Sequence, residues 1–374
     1  MNRVLALIFA VALAIPTLNA ANEVDAEELQ NYIQALEQRL EQLEAQTGVI
    51  QERQIQIEEE TMTYLESLGA LKELSDRVEL SGNVDVIYSS TDSDVDGDST
   101  DVFVDQVYLG LAIDISDNVN AYVSLQTENT ENDSGEGDAL GVYEAFVTLS
   151  LSDDLSLTAG KQHFNFINDA EYGNFIADTF VRQAAECRET GLALDFSNDA
   201  ISGGVFAFNG DVNEDGDDDE IDTYGLHGSI GGDQENMSWS IGLGYISNVL
   251  DANNVTTLAG IADNVDAISV NASFSSGPFS ILAETVETDD LADGSEPTFT
   301  TIEASMALGE SAWTLSAKYE ETDDLSGSIV EENVGIGVSG EIYENTLLTV
   351  NLESAEEYDG DETDTLAVEL RVSF

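Results

Sequence analysis

The last eleven residues, 364-DTLAVELRVSF-374, alternate between two kinds of side chain without interruption. Every second residue from Leu366 to Phe374 is apolar, and most of the residues between them are polar. A period of two indicates a β-strand with one apolar and one polar face. A strand of about ten residues with an apolar outer face and a polar inner face is the repeating unit of a transmembrane β-barrel. This stretch therefore predicts a barrel that spans a membrane.

The other end of the chain predicts export. Arg3 precedes an apolar run from Val4 to Ala14, and a small residue, Ala20, ends the segment. This pattern predicts a secretory signal peptide, residues 1–20, cut after Ala20. No later segment offers the length of apolar residues that a membrane helix needs, so only a closed barrel could span lipid. The terminal Phe374 also resembles the C-terminal signature of bacterial outer-membrane proteins, which predicts the outer membrane and its lipid as the setting.

Residues 21–77 carry a different, helical pattern. Apolar residues recur at heptad spacing at Leu29, Ile33, Leu36, Leu40, Leu43, Ile50, Ile57, Tyr64, Leu68 and Leu71. Sustained heptads predict a coiled coil, here joining the chains of a homotrimer. The alternative is a lone amphipathic helix lying on the barrel. With an even number of strands, the first strand begins and the last strand ends on the short-turn, periplasmic side. This helix would therefore lie in the periplasm.

The pattern of residues 78–374 predicts an all-β transmembrane barrel of about 16 antiparallel strands. The coiled-coil segment precedes this barrel in the chain. The segments are 78–88, 103–115, 120–129, 141–151, 155–164, 189–197, 200–209, 222–231, 237–247, 266–275, 278–287, 299–308, 311–320, 332–342, 345–354 and 364–374. Short turns alternate with long acidic loops, which is the asymmetry of outer-membrane barrels. A soluble β-solenoid or sandwich is the competing architecture, but it would not explain the signal peptide and the terminal Phe together.

The charge balance narrows the function. The chain of 374 residues has 10 Lys and Arg against 76 Asp and Glu, a formal net charge of -66. We expect no binding of nucleic acid, because phosphate groups need cationic partners. The acidity is interpreted first as a solvated surface of the kind a saline habitat favours, and second as an attraction for cations. Inward carboxylates would also make a barrel lumen prefer cations.

The third long loop, Asn165–Arg188, differs from the other loops in carrying aromatic and cationic residues. In porins of sixteen strands a third loop folds inward, and charged side chains at the resulting constriction select solutes. We therefore predict a pore constriction at Lys161, Arg182, Glu186, Arg188 and Glu189. We predict solute contacts at Phe166, Tyr172, Phe175 and Phe180. The alternative is a loop packed on the barrel rim and held by Arg–Glu pairs.

One region resembles a known family. Gly160-Lys161-Gln162, the aromatic loop and the run from Glu186 to Gly191 are similar to the matching region of LbtU-type siderophore porins. That resemblance implies a signal peptide, a short periplasmic coiled coil and a barrel of sixteen strands without a plug. It also implies uptake of ferric siderophores as the activity. The architecture covers the whole chain, whereas the motif covers roughly thirty residues.

Two further motifs have spacings that suggest chemistry. Oxygen ligands at alternate positions of an EF-hand-like loop suit Ca²⁺, and this spacing occurs at Asp211, Asn213, Asp215, Asp217, Asp219 and Asp222. In so acidic a chain the same spacing also arises by chance. His227 and Ser229 have a His-x-Ser spacing, but the alternation turns both toward the lumen, whereas a lipase needs them facing lipid. We therefore predict no enzymatic activity and no cofactor beyond Ca²⁺ in an acidic loop.

The sequence thus favours an outer-membrane porin that passes small solutes, with ferric siderophore uptake as the specific activity. The first alternative is a general or ion-selective porin with an architecture like that of the phosphate-selective porins. Ten cations are few for a pore that selects phosphate. A structural or adhesion barrel with cation-binding loops is the alternative from another class, and single-channel conductance separates it from a pore.

Overall fold

The computed structural model describes most of the chain after residue 76. The described ranges are 77–95, 97–127, 140–167, 174–210, 221–251, 264–291, 294–309, 312–325 and 330–374, with separate α-helical positions at 34–35, 37–39, 41–42 and 53. The chain divides into two units, Met1–Ser75 and Asp76–Phe374. The predicted signal peptide and every apolar heptad position lie outside the described residues, so the coiled coil remains a prediction.

Sixteen antiparallel strands form one closed barrel in which each strand pairs with its neighbours in the sequence and β1 pairs with β16. The strands are β1 Val78–Ser93, β2 Ser99–Ser116, β3 Val119–Thr127, β4 Leu140–Ser152, β5 Leu155–Phe164, β6 Cys187–Ser197, β7 Ile201–Phe208, β8 Thr223–Gln234, β9 Met237–Ile246, β10 Ala267–Ser276, β11 Phe279–Thr288, β12 Thr298–Ala307, β13 Trp313–Asp323, β14 Val330–Tyr343, β15 Thr346–Glu357 and β16 Glu362–Ser373. A helix, α1 Phe180–Ala185, and a 3₁₀ turn, Val249–Asp251, lie between strands. The predicted barrel of sixteen strands is confirmed.

The two faces of each strand differ as the alternation requires. On β16, Leu370 is 39% exposed and Val372 is 44% exposed, whereas Glu369 between them is 4% exposed. A large apolar side chain that remains exposed on a closed barrel faces outward, where lipid would cover it. We therefore call the opposite face, with Glu369, the inward face. The described residues contain no helix with the length and hydrophobicity of a membrane span.

The barrel closes through the C-terminal residue. The amide N of Phe374 lies 2.9 Å from the carbonyl O of Gly82, and the amide N of Gly82 lies 3.0 Å from the carbonyl O of Phe374. The Phe374 ring covers Gly82 so closely that a Cβ at residue 82 would collide with it. The terminal aromatic therefore extends the pairing of β16 with β1 by one residue beyond the strand.

Several strands are longer than predicted, and the loops between them are shorter. Strand β1 continues to Ser93 instead of residue 88, and β2 begins at Ser99 instead of residue 103. The added residues are mostly Ser, Thr and Asp, which interrupt the apolar alternation but still pair across the ladder. Backbone pairing does not require an apolar side chain, so the ladder extends above the apolar band.

Candidate pore constriction

The described part of the third long loop, residues 165–167 and 174–186 between β5 and β6, lies inside the barrel. Its backbone and side chains contact inward residues of strands far along the chain. The amide N of Ile176 donates to Asn351 Oδ1 at 2.8 Å on β15, and Asn174 donates to Glu303 on β12. These strands lie far from β5 and β6 around the barrel, so the loop crosses the lumen to reach them. The expectation of an inward loop agrees with these contacts.

An apolar cluster anchors the loop to the wall beside it. The buried residues of α1 are Val181, Ala184 and Ala185. They belong to one cluster with Phe164, Phe166, Phe206, Phe208, Ile246, Val249, Leu250, Val265, Ala267, Val286 and Phe299. Burial of this much apolar surface inside a barrel holds the loop against strands β5 to β12. The open part of the lumen therefore lies on the other side of the loop.

Inward glycines make room for this packing. A Cβ at Gly244 on β9 would collide with the carbonyl O of Phe166, which accepts a hydrogen bond from Ser269 Oγ at 2.7 Å. A Cβ at Gly335 on β14 would lie 2.8 Å from the Phe175 ring. Glycine is the residue that lets a second segment approach a strand this closely.

The helix α1 sets the spacing of the loop charges. Thr179 caps its N-terminus, with Oγ1 accepting from the amide N of Arg182 at 3.1 Å. The helix then places Arg182 and Glu186 four residues apart, and Arg182 Nε lies 3.1 Å from Glu186 Oε2. The other side of the same guanidinium lies 3.3 Å from Asp178 Oδ1. Arg182 therefore lies between two carboxylates on one edge of the loop.

Glu186 is the centre of a larger polar cluster. Its Oε1 lies 3.2 Å from His163 Nδ1 and 3.8 Å from Arg188 Nη1. The hydroxyl of Tyr143 donates to the same oxygen at 3.4 Å. Three of the predicted constriction residues, Arg182, Glu186 and Arg188, are thus brought together at the base of the loop. A cluster of mixed charge at this place creates a local field that can orient a polar solute.

Asp178 is the most accessible charge of this set. Its side chain is 56% exposed, whereas that of Glu186 is 12% exposed. Desolvation inside the barrel raises the pKa of the Asp178 carboxyl, and the Arg182 guanidinium opposes that rise. The carboxylate remains open to the lumen, although its surroundings are less polar than bulk water.

Two predicted constriction residues lie elsewhere in the structure. Lys161 on β5 donates to the carbonyl O of Val142 at 3.4 Å. Glu189 on β6 lies opposite Gln162 in the ladder. Neither residue is in the Glu186 cluster described above, because that cluster is built by α1 and by the strand ends next to it.

The structure places the predicted solute-contact residues in different surroundings. Phe166 is 1% exposed within the apolar cluster, which corrects the expectation that it meets the solute. Phe180 is partly buried against the same cluster, and Phe175 presents its ring to Lys318 Nζ at 4.9 Å from the centroid. Tyr172 lies outside the described residues. The aromatic residues in the described part of the loop thus act mainly as packing groups, because an inward loop needs apolar contacts of its own.

A buried ion network on the far wall was missed from the sequence. Lys318 Nζ on β13 lies 2.9 Å from Glu320 Oε2 and 2.9 Å from Glu353 Oε2. The Lys318 and Glu320 side chains are 0% exposed. Asn333 Nδ2 donates to both carboxylates, at 2.9 and 3.1 Å. The alternation of β13 could have revealed Lys318, because Ala317 and Tyr319 on either side of it occupy the outward face.

A second inward ion cluster lies where the barrel closes. Arg371 Nη2 on β16 lies 3.0 Å from Asp85 Oδ2 on β1 and 3.0 Å from Glu369 Oε1. Inward carboxylates on the described strands outnumber the inward Lys318 and Arg371. They include Asp85, Glu144, Glu284, Glu303, Glu320, Glu353 and Glu369. The wall of the lumen is therefore acidic.

The predicted calcium loop is described only at its end. Asp211, Asn213, Asp215, Asp217 and Asp219 lie outside the described residues. Asp222 is described, and its Oδ1 accepts a hydrogen bond from the amide N of Gly210 at 3.2 Å. Calcium binding at this loop therefore remains a prediction.

Comparisons with known proteins agree with this geometry. A family model described as Gram-negative porin matches residues 66–360. OmpF of Salmonella typhi, solved in complex with daunomycin, aligns with a TM-score of 0.60 at 12% identity over 79% of this chain and 97% of that chain. An anion-selective porin from Comamonas acidovorans aligns with a TM-score of 0.58 at 16% identity over 79% of this chain and 99% of that chain.

A third solved structure, OmpT of Vibrio cholerae in its trimer form, aligns with a TM-score of 0.54 at 12% identity over 79% of this chain and 99% of that chain. Identities this low establish a shared fold and nothing finer. No curated protein sequence matches the chain.

Proposed function

Because the chain belongs to the Gram-negative porin family, we propose that its barrel is a water-filled outer-membrane pore for small solutes, narrowed by the third long loop. The observation that carries this proposal is the path of the loop across the lumen, from β5 to contacts with β12, β13 and β15. A loop in this place reduces the cross-section that a solute can use. The charges on its edge then act on every solute that passes.

The pore should prefer cations. Carboxylates outnumber cations on the inward faces of the described strands, and an acidic wall concentrates cations in the lumen. Salt screens this field, because the Debye length falls from about 30 Å at 0.01 M to about 3 Å at 1 M. Reversal potentials across a planar bilayer, measured in KCl gradients at low and at high salt, test the proposal. We expect cation preference that weakens with salt, and a clear anion preference at low salt would reject it.

Ferric siderophores are the specific solutes that the family resemblance suggests. Many of these complexes are anionic, so an acidic lumen would repel them unless a local cation attracted them. Arg182 and Arg188, both beside Glu186, supply such cations at the loop. Addition of candidate ferric siderophores to an open channel tests this point. Reversible block, or uptake that depends on both arginines, would support it, and a general porin would show neither.

We propose a homotrimer whose N-terminal segments, residues 21–77, meet as a coiled coil in the periplasm. The heptad spacing of the sequence supports this arrangement. Closed symmetry is the usual outcome when identical chains associate. Native mass measurements in mild detergent, on the full chain, distinguish a trimer from a monomer.

A further inference from the structure

A row of aromatic rings runs along the lumen wall opposite the apolar cluster. We call Tyr108, Tyr122, Tyr143 and Phe146 the lumen aromatic row. Tyr122 and Phe146 are direct cross-strand neighbours with ring centroids 5.4 Å apart. Tyr108 is hydrogen-bonded to Tyr122 through their hydroxyl groups, and its ring meets that of Tyr143 edge-on at 6.4 Å. The four rings therefore form one continuous surface across β2, β3 and β4.

The register places Tyr108, Tyr122 and Phe146 inside the barrel, whereas Tyr143 lies at a bulge beside the inward Glu144. Tyr108 lies opposite Asn83, whose Nδ2 donates to the inward Asp85 at 2.9 Å. The outward neighbour of Phe146 on β4 is Val147, which is exposed. All four rings are half-buried, so those of Tyr108, Tyr122 and Phe146 keep part of their surface open to the lumen. Aromatic side chains of this kind on a water-filled channel present their faces to whatever passes.

One member of the row already holds a cation. The guanidinium carbon of Arg188 lies 3.8 Å from the centroid of the Tyr143 ring. This contact shows that the electron-rich face of a row member is accessible to a positive group of that size. Tyr122 and Phe146 are the two members that pair directly across the ladder. Glu144 on β4 lies two residues from Phe146 on the same face and adds a carboxylate beside these two rings.

Aromatic faces next to a carboxylate, within an acidic lumen, are the chemistry that recognises organic ammonium ions. An inorganic cation such as K⁺ holds its hydration shell and gains little from a ring. A methylated ammonium ion is weakly hydrated and places its methyl groups against the ring face. We propose that the lumen aromatic row, at Tyr122 and Phe146 with Glu144, is a binding site for quaternary ammonium solutes of about the size of choline. This inference rests on the proposed pore, because the site lies in the lumen.

The test compares choline with 3,3-dimethyl-1-butanol, its neutral isostere, on the unmodified full chain in a planar bilayer. Both probes have the same shape, but only choline carries a charge. With KCl as the carrier salt, choline should reduce the single-channel current at concentrations at which the isostere has no effect. This comparison requires no variant and so does not depend on how a substituted barrel folds.

Variants then locate the site. Tyr122→Leu and Phe146→Leu should each raise the concentration of choline that halves the current by roughly threefold or more, as expected for loss of a cation–π contact. Tyr224→Leu is the matched control, because Tyr224 is 59% exposed on the outward face of β8 and should leave block unchanged. Glu144→Gln should also weaken block.

The outcomes separate the two claims. A channel that conducts KCl, yet shows equal responses to choline and its isostere, overturns the ammonium site and leaves the pore intact. Choline block that is unchanged in both Leu variants also overturns the site. A barrel that conducts no KCl overturns the pore and, with it, the site.

Discussion

Glu320 on β13 accepts a hydrogen bond from the backbone N–H of Phe180 at 2.8 Å, although 140 residues separate them in the chain. The same oxygen accepts from Thr301 Oγ1 at 3.2 Å, and the other oxygen lies 2.9 Å from Lys318 Nζ. The first residue of α1 is therefore joined to a buried ion network on the far wall. This contact couples the position of the loop to the charges of the barrel.

Lys318→Met should destabilise the barrel and release the loop. The substitution leaves Glu320 without its cation in a fully buried place, and breaking a buried pair from one side costs roughly 3–5 kcal/mol. Unfolding in detergent micelles, followed by circular dichroism, measures the loss. Glu321→Gln, on the exposed face of the same strand, is the control. Equal losses in the two variants would mean that β13 is fragile in general and that the ion network has no special role.

Arg182→Ala should make the pore more selective for cations. The substitution removes a positive charge from the edge of the loop and leaves Asp178 and Glu186 without their shared partner. The ratio of K⁺ to Cl⁻ permeability should therefore rise, and it should rise more at low than at high salt. Arg77→Ala removes a cation at the start of β1, away from the loop, and should change the ratio less. A ratio that is unchanged in Arg182→Ala would place Arg182 outside the ion path.

Gly244→Ala should displace the loop. The added Cβ would occupy the place of the Phe166 carbonyl O, so the hydrogen bond from Ser269 would lengthen or break. Overpacking of this kind costs roughly 1–3 kcal/mol, and single-channel conductance should change as the loop moves. Gly228→Ala is the control, since the nearest atom to a Cβ there is Ser202 O at 3.8 Å. Identical conductance in the two variants would contradict close packing of the loop on β9.

Deletion of residues 22–75 should leave a folded barrel but weaken association between chains. The strands begin at Val78, beyond the deleted segment, and pair only with one another. Native mass measurements should then show more monomer in the shortened protein than in the full chain. If the full chain is already monomeric in mild detergent, the prediction that a coiled coil holds the chains together is wrong.

The strand pattern was predictable because it depends on a local rule. Alternation assigned all sixteen strands in order and placed Glu320 and Glu369 on the inward face, as observed. The boundaries were less accurate, because polar residues such as Ser93 continue a ladder without an apolar signal. The loop was recognised by its composition, which correctly separated it from its acidic neighbours.

The partners of the loop were not predictable, since they lie more than 100 residues away in the chain. Nothing near Phe166 in the sequence indicates that Ser269 and Gly244 will meet its carbonyl group. For the same reason Phe166 was expected to face a solute, whereas the structure buries it. The lumen aromatic row was also missed, because Tyr108 and Tyr122 belong to different strands and become neighbours only when the ladder forms.

The sequence by itself determined the barrel, the direction in which most strand side chains point and the acidity of the lumen, because each follows from alternation along a single strand. Bulges interrupt that alternation on β2 and β4. Only the tertiary structure decided which inward residues meet. Closing the barrel joins Gly82 to Phe374, and folding the loop across it joins Phe180 to Glu320. Contacts of this kind depend on the order of strands around the barrel and on the packing that holds the loop against one wall, and neither is encoded within any one segment.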